Sequence, residues 1–405
     1  MPAVRQKLHL SSCADFRSRL YLRIALGPAL IATRGYSSPE VGETFTRASA
    51  LAEQIGQSGY LLPLLYGQWA YHLVRSEHRL ALPYAERMEK IGEAQKNSAA
   101  LLLGHLYHGI VRFFLGEFAA ARALFEQCHG LRDPVLRQTI SKLTAEDGYS
   151  TMLGYLAVIL GYLGYFNQAR SRVDEGLSEA RRLHHVHTLG FALFFKCFVS
   201  SMVNLTDEVR QAADEMFELG KEHGFPLWTG WALVYRGLWS TAVGQAREGV
   251  SLMTQALALM QVTGAVVSSP FVLTHLAEAF ARLAQPAEGL SRLREAAHFI
   301  EATDERYHEA EVHRLQGDLL KATGDHAAVE QSYRRALAVA GRQNARAHEL
   351  RAATGLAGLW RDQGKRDEDR ELLAPVYGWF TEGFDTRDLK EAKALLDVLE
   401  REVEE

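Results

Sequence analysis

The residue types able to do chemistry are sparse in this 405-residue chain, and their spacings work against catalysis. His308–Glu309 with His313 forms an HExxxH pattern. On a helix, however, the five-residue step turns the second imidazole about 140° away from the first, so the pair cannot converge on one metal ion. His184, His185 and His187 cluster where one helix ends and the next begins. Imidazoles there suit the partial negative charge of a helix C-terminus, with a metal-binding or pH-sensing role as the alternative. Gly220–Lys221 is followed by Glu222, so no phosphate loop is built there, and the chain contains no GxGxxG, HExxH or GxSxG. Cys13, Cys128 and Cys197 are too few and too far apart for a disulfide framework, which fits a reducing, cytoplasmic setting. We expect no enzyme activity, no cofactor and no bound metal.

The elements that position these residues are set by a period. Gly35/Tyr36, Ser76, Gly116, Gly164, Asn204, Gly244, Ala284, Gly324 and Gly364 follow one another at steps of 40 residues, except for one of 48 between Gly116 and Gly164. Most are types that end a helix in a left-handed or turn conformation at low steric cost. Seven residues before each breaker stands a small or aromatic residue (Trp69, Gly109, Ala157, Cys197, Gly237, Ala277, Gly317, Ala357). Small or apolar residues recur five, nine and twelve residues after it, as in Ala169, Val173 and Gly176. Those offsets mark one face of a 3.6-residue helix. Each unit therefore reads as helix A, a short turn and helix B, with small residues allowing the two helices to approach closely.

This layout resembles the tetratricopeptide repeat, most closely from Ala310 to Gln343, although 40 residues exceed the usual 34 and call for helices about a turn longer. The expected fold is all-α: an α-solenoid wound as a right-handed superhelix of about nine hairpins. Residues 1–19 form an N-terminal tail, 20–385 the repeat array and 386–405 a C-terminal capping helix. From Glu301 onward 39 of 105 residues are charged, which suits a solvated end of the array.

Two uncharged windows, Gly148–Ala169 and Gly249–Ala277, are long enough for a membrane span, but the period's own breaks cut them. Arg5, Lys7, Arg17 and Arg19 before the apolar run Leu20–Ala32 loosely suggest a signal peptide, but Arg23 interrupts that run where a helix A is due. A net charge of −4 argues against a nucleic-acid face or an anionic-membrane anchor.

In tetratricopeptide geometry the inner surface is lined by set positions of helix A. Here these include Phe113, Phe114, Tyr162, Phe191, Phe194, Phe198, Trp231 and Phe271, and then charged residues, Glu311 and Arg314 among them. An apolar, aromatic-rich groove with a charged extension suits a protein, a peptide or an apolar ligand. The alternative is that tight winding buries the aromatics against neighbouring repeats and that Glu311 and Arg314 merely pair along their helix.

Several segments also resemble the C-terminal repeat region of bacterial class III adenylate/guanylate cyclases that carry a predicted ATPase module. They include Leu26–Leu30, Gly35–Tyr36, Gly224–Phe225–Pro226–Leu227–Trp228, Glu309–Leu315 and, most specifically, Tyr377–Thr386 running into Asp388–Lys393. The resemblance implies a sensor module in bacterial signalling, or the regulatory portion of such a cyclase or of an ATP-dependent transcription regulator. The partner it implies is a protein or peptide, such as a cyclase or ATPase. The cyclase and ATPase domains of that family have no counterpart among these residues, so no catalytic residue carries over.

Overall fold

In a computed structural model of the chain, the described residues are 37–54, 60–144 and 146–404, together with Leu20, Leu22, Leu26 and Leu30. Cys13, the basic N-terminal residues and the first breaker, Gly35/Tyr36, lie outside them. Among the described residues there are nineteen α-helices and no strand. They divide into two compact units. The first comprises the described residues up to 111 with those of 127–148 and 260–267, and the second those of 112–126, 149–259 and 268–404.

In the first unit, α1 (Pro39–Gln54), α2 (Leu61–Val74), α3 (His78–Gln95) and most of α4 (Ser98–Phe114) pack as successive antiparallel neighbours. The Val74 carbonyl accepts hydrogen bonds from both Val266 and Val267 N–H, at 2.9 and 3.1 Å. The 48-residue step is explained by an interrupted helix B. Helix α5 (Phe118–Glu126) stops early, a 3-10 stretch (Gln127–Arg132) follows, and α6 (Pro134–Thr144) completes the longer connection.

The second unit continues through nearly all of α7 (Gly148–Tyr162), then α8 (Phe166–Leu183), α9 (Val186–Met202), α10 (Thr206–Glu222), α11 (Pro226–Ala242) and most of α12 (Ala246–Thr263). It then runs through α13 (Ser269–Arg282), α14 (Pro286–Thr303), α15 (Glu309–Leu320), α16 (His326–Gln343), α17 (Arg346–Asp362), α18 (Arg366–Gly378) and α19 (Arg387–Glu404). The two helix classes differ in sequence because they differ in surroundings. B helix α8 buries Phe166, Ala169, Val173, Gly176, Leu177 and Ala180 on one face and turns seven charged side chains outward. A helix α9 carries one charge, Lys196, and buries residues around most of its circumference, because other helices flank it on several sides.

All eight described breakers adopt positive φ: Ser76, Gly116, Gly164, Asn204, Gly244, Ala284, Gly324 and Gly364. In most of these turns the next N–H reaches back to a carbonyl five residues earlier, as from Gln245 to Ser240 at 2.7 Å, which satisfies the exposed end of helix A. A second set of positive-φ residues, His184, Gly224, Gly264, Asp304 and Asn344, sits midway between breakers and closes helix B with the same period. Small residues bring the paired helices together as expected. A Cβ added at Gly237 would lie 3.1 Å from the Gly249 carbonyl oxygen, and one at Gly249 would lie 2.8 Å from that of Gly237.

Within the second unit, distant hairpins also meet. Arg306 and Tyr307 N–H both donate to the Phe114 carbonyl, at 2.8 and 3.2 Å. Near the other end, Phe380 stacks on Phe166 with 6.0 Å between centroids, and Glu382 accepts from the free N–H groups of Asn167 and Gln168 at the start of α8.

Candidate functional site

The aromatic positions of the inner surface form a packed interior. Phe113, Phe114, Tyr162, Phe198, Trp231 and Phe271 are buried, and Phe191 and Phe194 are half-buried. Phe113 lies 4.9 Å from Tyr307, Phe198 4.9 Å from Phe271, and Phe194 4.8 Å from Trp231, centroid to centroid. Phe191 turns instead to Trp228, at 4.7 Å. Stacked, tilted and edge-to-face pairs of this kind fill the space that an open groove would leave to a ligand.

Glu311 and Arg314 lie elsewhere, on the wall of a cavity of about 1060 Å³ in the second unit. Its lining draws on α9, α10, α11, α13, α15, α17 and α19, and combines Leu238 and Trp239 with many charged side chains. Glu311 is the centre of the charged wall. It accepts from Arg314 at 2.7 and 2.9 Å and from Arg351 at 3.2 Å, and Arg351 also donates to Asp388 at 2.6 Å. Arg314 reaches Asp318 as well, and Asp318 further accepts from the Tyr333 hydroxyl. Burial alone would raise the Glu311 carboxyl, but the guanidinium groups of Arg314 and Arg351 hold it well below the usual carboxylate range. A carboxylate so firmly ionised is a poor general base, whose pKa should lie near the working pH.

Beside this cavity lies a smaller chamber of about 50 Å³, and Ser201, His275, Arg351 and Asp388 line both. Tyr162, Phe198, Phe271, His308 and His348 belong to the chamber alone. Burial pushes the His348 imidazole down to about 4, and burial, aided by His348 and His275, takes His308 well below its ordinary value. Both rings are therefore neutral at physiological pH.

The groove prediction thus gathers residues from two settings, an aromatic interior and a charged wall. Asp388, His275 and His348 were not among its residues. The period holds a signal for some of them, since Glu311 and Arg351 are one 40-residue step apart, as are His308 and His348.

The other sequence candidates have structural duties. His184 is the left-handed residue closing α8, and His185 caps α9 by accepting from Thr188 N–H. His187 accepts from the Trp228 indole at 3.3 Å. Cys128 and Cys197 are buried thiols. Burial pushes Cys128 up to about 12, with Glu89 adding to the effect, so it stays protonated and unreactive. Among the described residues, no group of three or more His, Cys, Asp or Glu could hold a metal ion, and no helix is long and apolar enough to cross a membrane.

No protein-family model matches the sequence, and no curated protein matches it. Among solved structures, the chain is similar to a crystal structure of a Rap protein complexed with Competence and Sporulation Factor. Identity is 10%, 94% of this chain and 99% of that one are covered, and the TM-score is 0.61. It is also similar to a chain of the APC/C hetero-tetramer Cut9–Hcn1, at 13% identity over 90% of this chain and 60% of that one, with a TM-score of 0.53. At such identities the likeness is one of fold: an all-α solenoid of tetratricopeptide-like hairpins. It carries nothing about a cyclase or an ATPase.

Proposed function

We propose that this chain is a non-enzymatic helical-repeat scaffold, and that its second unit binds a segment of a protein or peptide partner in the charged cavity. The observation that carries this reading is the cavity's construction. Residues of seven helices converge on a space of about 1060 Å³, large enough for several residues of a bound segment. Its acids and bases are already paired with one another, an arrangement suited to fixing a polar segment by direction and shape and unsuited to moving protons. A similar fold in the Rap protein is complexed with Competence and Sporulation Factor, which makes a bound partner the natural reading of an inner cavity here. A bacterial signalling setting, with a cyclase or ATPase as partner, rests on the resemblance of the Tyr377–Lys393 stretch.

The test is capture of a partner from native cell extract by the full chain and by Ala242→Trp. Ala242 is an exposed residue of the cavity lining, so the indole obstructs part of the cavity without replacing a core side chain. A protein identified by mass spectrometry with the unaltered chain should drop at least tenfold with Ala242→Trp while the melting temperature stays the same. Equal capture by both chains would remove the cavity from the function. Formation of cyclic nucleotide from ATP or GTP by the purified chain would overturn the non-enzymatic reading.

A further inference from the structure

The pair that joins Arg351 to Asp388 on the cavity wall is only half closed. A guanidinium and a carboxylate often meet as a fork, through two parallel N–H···O bonds. Here Arg351 Nε donates to Asp388 Oδ2 at 2.6 Å, while Nη1 turns to Glu311 Oε1 at 3.2 Å. The remaining corner, Arg351 Nη2 and Asp388 Oδ1, has no hydrogen-bond partner among the described residues. Neither atom belongs to the buried polar atoms that lack a partner, so each keeps accessible surface. The two side chains are 27% and 13% exposed, and both residues line the cavity of about 1060 Å³. The wall therefore presents one open donor beside one open acceptor, held together by the Nε–Oδ2 bond.

Around this corner the charges are closed. Glu311 accepts from Arg314 at 2.7 and 2.9 Å, so two guanidiniums share its charge. Arg387 pairs with Glu391 at 2.5 Å, and Arg282 lies 3.4 Å from Glu278. A carboxylate drawn to Nη2 would lie against Asp388 and Glu311, and an ammonium drawn to Oδ1 would lie against Arg351. A neutral group that accepts and donates at once meets neither repulsion. One residue of an extended chain is such a group, because its C=O and N–H point to the same edge.

We infer that Arg351 and Asp388 form a main-chain clamp inside the cavity. Arg351 Nη2 donates to the carbonyl oxygen, and Asp388 Oδ1 accepts from the N–H, of one residue in an extended part of the bound segment. This rests on the proposed cavity function and names the part of the partner that these two side chains hold, whatever that residue's own side chain.

The experiment uses the full chain with ¹⁵N-labelled arginine. The Arg351 Nε–H resonance is assigned with Arg351→Lys and cross-checked by its shift in Asp388→Asn. It is followed at constant pH and ionic strength against four probes: N-acetylalanine methylamide, its analogue methylated on the alanine nitrogen, acetamide and acetate. A saturable shift with N-acetylalanine methylamide is expected, at least fivefold weaker binding of the methylated analogue and of acetamide, and no response to acetate. Asp388→Asn should bind N-acetylalanine methylamide at least fivefold more weakly. A methylated analogue that binds equally would overturn the clamp, because it lacks the N–H that Asp388 is to accept. Equal binding of acetamide would assign the corner to side-chain carboxamides, and equal binding of acetate would make Arg351 a plain anion site; either result overturns the proposal. Silence from all four probes would leave the corner merely hydrated and overturn it too. If either variant fails to fold, the probe series on the unaltered chain still decides. Partner capture sensitive to Ala242→Trp together with a silent Arg351 would retain the cavity and discard the clamp.

Discussion

At the scale of single residues, burial makes neutral histidines a liability in acid. An unfolded chain binds a proton on His348 as pH falls through about 6.5, whereas the folded chain refuses it until about 4. The unfolded state therefore holds more protons across that window, and stability declines as pH falls, by roughly 3 kcal/mol from this one group. Glu311, with its lowered carboxyl, adds a second loss only once the pH drops below about 4.5. We expect the melting temperature to fall between pH 7 and pH 4.5, and to fall less in His348→Phe, as measured by thermal melts of both chains at each pH. Equal declines would show that His348 is not buried in neutral form. The residue types behind this behaviour are legible one at a time. Their convergence is not, because His308 and Arg351 lie in consecutive hairpins while Tyr162, which shares the chamber with them, lies more than a hundred residues earlier.

At the scale of elements, the turns show how a local rule divides into two contexts. Gly164 and Gly244 end equivalent helices with φ of +89° and +88°, so a Cβ strains both backbones alike. Around Gly244 nothing stands within 4 Å, whereas a Cβ at Gly164 would press on the Phe380 and Trp379 rings at 2.8 Å. Gly244→Ala should cost about 1 kcal/mol, the left-handed penalty offset in part by a less mobile unfolded chain. Gly164→Ala should cost roughly 1–3 kcal/mol more, from overpacking. Urea unfolding of the two variants checks this, and equal costs would mean that the Trp379–Phe380 segment does not rest on that turn. The breakers themselves were readable because helix termination is a local event with a small set of suitable residues. The midway set at His184, Gly224, Asp304 and Asn344 obeys the same chemistry and the same period. Of these, sequence reading places only His184 at a helix end, because Gly, Asn, Asp and His also occur freely at exposed positions that do not end helices.

At the scale of the molecule, the second unit is held by contacts between its sequence extremes. Phe166 at the start of α8 shares one apolar cluster with Phe380, Leu389 and Leu396 near the C-terminus, and Arg170 pairs with Asp385 at 2.7 Å. Phe380 is 4% exposed, and Phe380→Ala should cost roughly 3–5 kcal/mol. Hydrogen exchange should show protection lost in α8 as well as in α18 and α19, because the two ends support each other. Loss confined to the C-terminal helices would contradict that coupling.

The amino-acid sequence alone determined the all-α class, the hairpin period, the turn positions and the faces along which paired helices meet. Each of these follows from steric and solvation preferences acting within about forty residues. Whether the inner aromatics line an open groove or fill an interior depends on how hairpins several periods apart approach one another. Small rotations accumulated from each hairpin to the next set that approach, and no single repeat encodes their sum. Tertiary structure therefore decided that Phe198 and Phe271 pack together, while Glu311, Arg351 and Asp388 meet around a cavity.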